Sequence, residues 1–216
     1  METVPAFWQL DYSLLTLGNY RLSLIEVLVV LFSLSGTYFS RLGWLLMLFA
    51  NVCFFLFFHQ IQLYGLMATQ VILFIFNLAW GIRSGAVSGQ PIKKLDSMGL
   101  VISFIAIFMP SISLVLALIE VPDYFPEYFP LPATFAMLDA LLALGSIVAT
   151  VLLARRFIEA WVYWMIIHSL LIVVLAWKGY YVATAGQMVL LAYAANEYLL
   201  WQSLAKSSFQ KNKTKK

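Results

Sequence analysis

The sequence predicts an all-α integral membrane protein with seven transmembrane helices, arranged as two parallel three-helix repeats that are joined by a linker helix. Three observations lead to this prediction: an apolar composition, a one-sided distribution of basic residues, and a repeat of polar and aromatic residues. Of the 216 residues, 63% are hydrophobic and 11% are charged, and the mean hydropathy is +0.91. Soluble domains carry about 25% charged residues. This chain therefore has too few charges to cover a water-exposed surface.

Seven apolar runs follow one another, each near the length of about 20 residues that a membrane-crossing helix needs. Before them, Trp8 and Tyr12 suit a segment that lies at the membrane surface. The predicted parts are this N-terminal interfacial segment over 1–21, the first three-helix repeat over 22–82, the linker helix and flanking loops over 83–130, the second repeat over 131–204, and a basic, disordered cytoplasmic tail over 205–216. The predicted spans are 22–39, 43–58, 63–82, 98–119, 131–154, 161–177 and 180–204.

The basic residues predict an orientation. With the N-terminus outside and seven crossings, all of the 13 Lys and Arg residues except Arg21 and Lys178 fall on the cytoplasmic side. The acidic residues Glu120, Asp123 and Glu127 fall outside. Cytoplasmic loops of membrane proteins carry an excess of Lys and Arg. The pattern therefore predicts a cytoplasmic C-terminus and supports seven crossings, because six would break the alternation.

Polar and aromatic residues recur at fixed offsets inside the apolar runs. Two copies of a three-span repeat in the same orientation need one extra crossing between them. The span 98–119, which has few polar residues, supplies this crossing. The sequence therefore predicts parallel repeats about an axis along the membrane normal. At an offset of 117 the pairs are Trp44/Trp161, Asn51/His168, Tyr64/Tyr181 and Gln70/Gln187, and at an offset of 113 they are Glu26/Asp139, Ser33/Ser146 and Thr37/Thr150.

Two carboxylates, Glu26 and Asp139, lie inside predicted spans, where a charge costs about 2.5–3.5 kcal/mol at mid-helix. Each carboxylate begins a stripe that continues with Ser and Thr on the same helix face. One interpretation is that the acids are structural and hold neighbouring helices together. The other is that they line a path that favours a cation. Their symmetric placement favours the structural role.

Trp161, Trp164 and His168 share one helical stripe and are candidates for substrate binding. Two indoles followed by an imidazole suit a flat heteroaromatic group. The alternative is an aromatic belt at the membrane interface, which suits Trp161 at the helix start better than the two deeper residues.

Amide side chains extend this candidate site. Gln70, Asn77 and Gln187 either hold helices together or bind substrate hydroxyls. Asn196 and Glu197 complete the substrate-binding set. On an ideal helix, Asn196 points about 180° away from Gln187, whereas Glu197 lies within about 80° of it.

Several function classes are excluded by what the chain lacks. The net charge of +3 gives no basic footprint for nucleic acid. The single cysteine, Cys53, excludes a cysteine-ligated zinc site. No phosphate-binding loop, zinc-protease motif or nucleophile elbow is present. We therefore expect no catalytic residue, no metal and no cofactor, and we expect the chain not to be an enzyme.

The stretch from Asp139 to Trp164 resembles the second-repeat signature of the PnuC-type vitamin transporters, through Ser146-Ile147-Val148-Ala149, Leu152-Leu153-Ala154-Arg155-Arg156, Glu159 and Trp161. The first repeat is similar more loosely, through Leu24-Ile25-Glu26, Arg41, Trp44, Tyr64-Gly65 and Gln70. The resemblance covers about 22–201 and implies the 3+1+3 fold of the SWEET sugar transporters.

The resemblance implies facilitated uptake of a nucleoside-like vitamin, with nicotinamide riboside, an NAD precursor, as the first expectation. It also implies a homotrimer in the bacterial inner membrane and a cytosolic kinase that traps the product by phosphorylation. His168 and Ala68 depart from the family pattern and are compatible with a different vitamin. The alternatives are therefore thiamine or another vitamin on the same fold, a sugar carrier, or a membrane-embedded enzyme that uses Asp139 and His168.

Overall fold

The computed structural model describes residues 13–17, 20–38, 43–83 and 91–213, where seven helices follow a short antiparallel hairpin. The prediction of a helical protein with seven helices is confirmed. The strands are β1 (Ser13–Leu17) and β2 (Tyr20–Ser23). The helices are α1 (Leu24–Tyr38), α2 (Gly43–Gln60), α3 (Tyr64–Arg83), α4 (Ser97–Tyr124), α5 (Ala136–Ala154), α6 (Glu159–Trp177) and α7 (Tyr181–Lys213).

Among the described helices, α2, α4, α5 and α6 are each long and apolar enough to cross a membrane. Shorter apolar stretches lie in α1 (Leu24–Thr37) and α3 (Tyr64–Ala79). The shorter helices and α7 pack beside the longer ones, so all seven helices belong to one bundle.

Some boundaries differ from the prediction. Helix α5 begins at Ala136 rather than at 131, because Phe135 before it takes a left-handed backbone conformation with φ of 53°. Helix α7 continues to Lys213, whereas the sequence predicts a disordered tail from 205. The tail is rich in Lys, which is a good helix former. Trp8, Tyr12 and Arg41, on which the sequence argument also draws, lie outside the described residues.

Six of the helices form a closed ring. Helix α1 packs against α2 and α7, helix α3 against α2 and α5, and helix α6 against α5 and α7. Helix α4 lies outside this ring, mainly against α5. The Asp96 side chain begins α4 by accepting a hydrogen bond from the Gly99 N–H at 2.8 Å. The ring is therefore formed by the other six helices, and α4, the expected linker helix, takes no part in it.

The connections α2–α3 and α6–α7 have the same backbone geometry. In the first, Gln62 has a φ of 58°, and the Leu63 N–H donates to the Phe58 carbonyl at 2.9 Å. In the second, Gly179 has a φ of 82°, and the Tyr180 N–H donates to Leu175 at 2.9 Å. Each residue of the second turn lies 117 positions after its counterpart. The match agrees with the predicted repeat, and the repeat arrangement itself stays a prediction.

The fully buried carboxylate of Asp139 links α5 to the start of α3. Its Oδ2 accepts a hydrogen bond from the Gly65 N–H at 2.6 Å, and its Oδ1 accepts one from the Leu66 N–H at 2.8 Å. The first N–H groups of a helix lack partners inside the helix, and they carry the positive end of its dipole. Asp139 therefore satisfies two backbone donors of another helix.

Glu26, which is also fully buried, makes the related link between α1 and α7. Its Oε1 accepts a hydrogen bond from the Ala183 N–H at 2.8 Å, and its Oε2 accepts one from the Tyr20 hydroxyl at 2.8 Å. Burial and the Glu26 carboxylate raise the pKa of Tyr20 to about 12, so this hydroxyl keeps its proton at neutral pH. Ala183 lies 117 positions after Leu66, so the two acids cap equivalent positions.

One end of the ring is filled by apolar side chains. Phe57, Phe58, Ile61, Leu63 and Leu175 are each at most 2% exposed where α2 meets α3 and α6 meets α7. A packed interior of this kind leaves few voids larger than a water molecule. The ring is therefore closed at this end.

Candidate substrate cavity

A cavity of about 860 Å³ lies inside the six-helix ring. All six ring helices contribute to its wall, and none of the wall residues belongs to α4. The wall includes Thr37 near the end of α1, Gly43 at the start of α2 and Ala154 at the end of α5. The cavity therefore extends toward the end of the bundle opposite the closed one. Its volume is within the range of about 300–1,000 Å³ that is typical of small-molecule sites.

Most of the residue pairs that define the sequence repeat lie on the cavity wall. Glu26/Asp139 and Tyr64/Tyr181 are not wall residues. The pattern therefore separates into pairs that face the cavity and pairs outside it. The cavity-facing pairs are Ser33/Ser146, Thr37/Thr150, Trp44/Trp161, Asn51/His168 and Gln70/Gln187.

The structure brings together most of the predicted substrate-binding residues. Asn196 and Glu197 do not line this cavity. Asn196 is exposed and borders a smaller depression on the outer face of α7, and Glu197 is half-buried. We therefore leave both out of the proposed site. The predicted residues that do line the cavity are Gln70, Asn77, Trp161, Trp164, His168 and Gln187.

One wall, formed by α6 and α7, carries an aromatic and amide group. The His168 Nδ1–H donates to Gln187 Oε1 at 2.7 Å, which leaves Nε2 of the neutral ring as an acceptor. The Trp164 ring stacks on His168 with centroids 5.5 Å apart and planes inclined by 23°. These contacts fix the orientation of an indole and an imidazole beside the cavity.

The facing wall, formed by α2 and α3, has different chemistry. Asn51 is the repeat partner of His168, and Met47 stands 117 positions before Trp164. The Gln70 Nε2–H donates weakly to the Leu66 carbonyl at 3.4 Å. The two walls therefore differ at these paired positions, while Trp44, Phe54 and Phe58 give the α2 wall aromatic surface elsewhere.

Three buried side-chain donors have no hydrogen-bond partner among the described residues: Asn51 Nδ2, Arg156 Nε and Trp161 Nε1. All three residues line the cavity. An unpaired buried donor costs about 1–3 kcal/mol, and most buried polar groups are paired. The cavity wall therefore brings together three side chains whose donors a ligand with hydrogen-bond acceptors could satisfy.

Asn51 and Arg156 were not among the predicted site residues. The pairing of Asn51 with His168 at the repeat offset is the signal that could have placed Asn51 on the wall. Arg156 carried no such signal, because the sequence assigns it to a loop outside the membrane. Its position depends on how the α5–α6 connection folds back over the end of the ring.

The arrangement suits the binding of a small molecule. In the ranges described above, no group of three or more His, Cys, Asp and Glu residues could hold a metal ion. Both oxygens of Asp139 accept backbone hydrogen bonds, and Asp139 is absent from the wall that His168 lines. The enzyme that would use Asp139 with His168 therefore has no support in this geometry.

The sequence profile of the family described as "Nicotinamide mononucleotide transporter" matches residues 22–203. The nicotinamide riboside transporters PnuC of Escherichia coli (strain K12) and Shigella flexneri are each 25% identical to the chain over 183 residues, covering 72% of this chain and 74% of the relative. The crystal structure of the vitamin B3 transporter PnuC is similar with a TM-score of 0.60 at 19% identity, covering 85% of this chain and 80% of that one.

The structural likeness supports the seven-helix membrane fold, and the profile spans most of the chain. The resemblance to PnuC-type transporters found in the sequence is therefore confirmed. This chain belongs to the nicotinamide mononucleotide transporter family and is a multi-pass inner-membrane transporter rather than an enzyme.

Proposed function

We propose that the protein carries nicotinamide riboside across the inner membrane by facilitated diffusion, through the cavity inside the six-helix ring. The observation that supports this most is the wall itself, which combines stacked aromatic rings on α6 with amides on α2, α3 and α7. A nucleoside-like vitamin offers a flat ring and a hydroxylated sugar, and these two kinds of surface match them. The names of the relatives support the same substrate.

Ring recognition falls to the α6 wall. The pyridinium ring of nicotinamide riboside is flat and cationic, and a desolvated cation over an indole gains about 2 kcal/mol. Trp164 lines the cavity and is already held in a stacked geometry by His168. We assign the stacking role to Trp164 and the adjacent polar contact to His168.

Sugar and amide recognition falls to the polar residues on the opposing walls. Gln70 on α3 and Gln187 on α7 approach the cavity from different halves of the ring. Asn51 adds a buried N–H donor without an acceptor, and Asn77 adds a further amide. A ligand that fills this space satisfies donors that are otherwise buried and unpaired.

The transport step that fits this architecture is rocking of one three-helix repeat against the other about the central site. The ring is closed at the α2–α3 and α6–α7 connections. The cavity extends toward the opposite end, where α5 and α6 meet. With the orientation that the basic residues predict, the cavity faces the cytoplasm and the N-terminus is outside. The described wall residues include no acid, so we propose no ion coupling.

The remaining features of the proposal come from the family resemblance. We propose a homotrimer, for which α4 offers an apolar outer surface with Ile105, Met109 and Leu116 more than half exposed. We also propose that a cytosolic kinase phosphorylates the released nucleoside, which keeps the gradient directed inward. Neither step requires a cofactor or metal in this chain.

Ligand binding to the purified protein tests the substrate. Calorimetry should show that nicotinamide riboside binds more tightly than thiamine, and that sugars do not compete. Asn51→Leu removes the unpaired donor while keeping a similar size, so affinity should fall about tenfold. Asn196→Leu is the matched control, because this exposed amide lies outside the cavity, and its affinity should equal that of the parent.

Two results would overturn the proposal. Binding of thiamine or a sugar in preference to nicotinamide riboside would make the substrate wrong while leaving the transporter fold intact. Equal loss of affinity in Asn51→Leu and Asn196→Leu would show that the cavity is not the binding site.

A further inference from the structure

Arg156 places a cationic side chain at the mouth of the cavity. Its guanidinium lies over the ring of Trp201, 5.0 Å from the centroid. The indole of Trp161 packs edge-on against the same ring at 5.7 Å. Arg156 Nε and Trp161 Nε1 are both buried without an acceptor. Two unpaired donors therefore flank Trp201 on the wall of one cavity.

The backbone of Arg156 is held in place by the segment 91–96 that precedes α4, called the strap here. Arg156 has a left-handed φ of 61°, which is uncommon for a residue with a side chain. Its carbonyl accepts a hydrogen bond from the Lys93 N–H at 2.9 Å, and its own N–H donates to Leu153 at 3.0 Å. The Ile158 N–H donates back to the Lys93 carbonyl at 3.1 Å. This unusual conformation is therefore fixed on both sides.

The charges around Arg156 leave it without a carboxylate. No ion pair of Arg156 is found within the described ranges. The Glu159 carboxylate accepts a hydrogen bond from the Leu95 N–H at 3.1 Å, so it serves the strap. The Lys93 ammonium lies over the Phe157 ring at 5.9 Å, and Arg155 is exposed. Among the described residues, the mouth thus carries positive charge, and no carboxylate pairs with Arg156.

We propose that Arg156 and the indole N–H of Trp161 form a phosphate site at the cavity mouth, which binds a soluble phosphate monoester of the transported nucleoside and blocks the pathway. The identity of the ester rests on the proposed function. A phosphate monoester carries a charge of about −1.5 to −2 and three strong acceptor oxygens. A guanidinium matches those oxygens with two parallel hydrogen bonds.

The site gives the transporter a response to its own downstream product. A nucleoside that is phosphorylated after release becomes an anion, and the described residues of the deeper cavity wall include no Lys or Arg for it. The ester therefore stops at Arg156, where it fills the exit route that the next nucleoside needs. High product concentration lowers uptake without any change in the outer substrate concentration.

Binding of nicotinamide mononucleotide and ribose 5-phosphate to the purified full chain tests this inference. Both should bind the parent protein, and nicotinamide mononucleotide should compete with nicotinamide riboside. Arg156→Gln should weaken binding of both esters about tenfold or more, because it removes the charged donors. Arg155→Gln, which removes the same charge from the exposed neighbour, should leave ester affinity unchanged.

Two further variants keep the test decisive if Arg156→Gln does not fold. Arg156→Lys keeps the charge but loses the planar fork, so ester affinity should fall less than in Arg156→Gln. Trp161→Phe keeps the ring and loses the N–H, so it should weaken ester binding several-fold. Equal ester affinity in the parent, Arg156→Lys and Trp161→Phe would overturn the site.

A lipid headgroup shares the phosphate chemistry, and nanodiscs with and without phosphatidylglycerol separate the two sources. Esters should bind in both preparations. Arg156-dependent stabilisation by phosphatidylglycerol without ester binding would overturn the soluble ligand. If the parent protein binds nicotinamide riboside but neither ester, this inference fails and the proposed function stands. If it binds neither the riboside nor the esters, both fail.

Discussion

At the scale of single residues, the α6 and α2 sides of the cavity carry different side chains at positions that the sequence repeat pairs. Trp164 and His168 form a stacked pair on α6, whereas Met47 and Asn51 stand at the equivalent positions of α2. At these two positions, only the α6 side offers an aromatic surface to a flat ligand ring. The facing wall contributes polarisable sulfur and an amide donor.

Trp164→Ala should weaken binding of nicotinamide riboside at least about thirtyfold, because the cation loses a desolvated indole worth about 2 kcal/mol. Trp164→Phe should lose less, since an aromatic face remains. Calorimetry in detergent measures both. Trp177→Ala is the control, because this indole is 71% exposed and lies outside the cavity wall. Parent-like affinity in a folded Trp164→Ala protein would show that the stacking site is misplaced.

The sequence could predict which helix faces carry polar and aromatic residues, and this was enough for Gln70, Gln187 and His168. It could not predict Arg156, because its reach to the cavity depends on a left-handed backbone turn and on the strap around Lys93. Asn196 shows the opposite case, because helical geometry alone already sets it about 180° from Gln187. It is polar and within an apolar helix, but its angle around α7 turns it outward.

At the scale of elements, the buried acids act on helix ends rather than on a transport path. Asp139 and Glu26 each accept hydrogen bonds at the start of another helix, and neither lines the cavity. The contacts agree with the structural interpretation. They tie α5 to α3 and α1 to α7, which are the two places where the halves of the ring meet.

Asp139→Ala should destabilise the protein strongly, because it leaves the Gly65 and Leu66 N–H groups buried and unpaired, at about 1–3 kcal/mol each. Asp139→Asn should cost less, since its carbonyl oxygen still accepts one bond. Chemical unfolding in detergent measures both. The control Asp96→Ala removes the exposed cap of α4 and should cost about 1 kcal/mol. Equal losses for Asp139→Ala and Asp96→Ala would contradict the role assigned to the buried cap.

Helix positions were largely predictable because apolar length alone determines them, and most ends agree within a few residues. Two helix ends depart from the prediction because of local backbone preferences that hydropathy does not measure. Phe135 delays α5 through a positive φ, and the polar residues after Leu204 continue α7 as a helix. The hairpin of β1 and β2 was not foreseen, since its strands are only five and four residues long.

At the scale of the whole molecule, the six-helix ring explains why a repeat of isolated polar residues can be read from the sequence. Residues that face a shared cavity are constrained in type, whereas those that face outward need only be apolar. The pairs Asn51/His168 and Gln70/Gln187 lie on the wall, and the equivalent turns at Gln62 and Gly179 share one backbone form. Which helices close the ring was not predictable, because the sequence pattern carries no information on helix neighbours.

Transport of labelled nicotinamide riboside into proteoliposomes that contain only this protein tests the central claim most directly. The label should equilibrate across the membrane, faster than in protein-free liposomes, and should be recovered chemically unchanged. Its final level should not depend on proton or sodium gradients, because none of the wall residues that the structure describes is acidic. Chemical conversion of the label, accumulation that collapses with an ion gradient, or entry no faster than in protein-free liposomes would contradict the account.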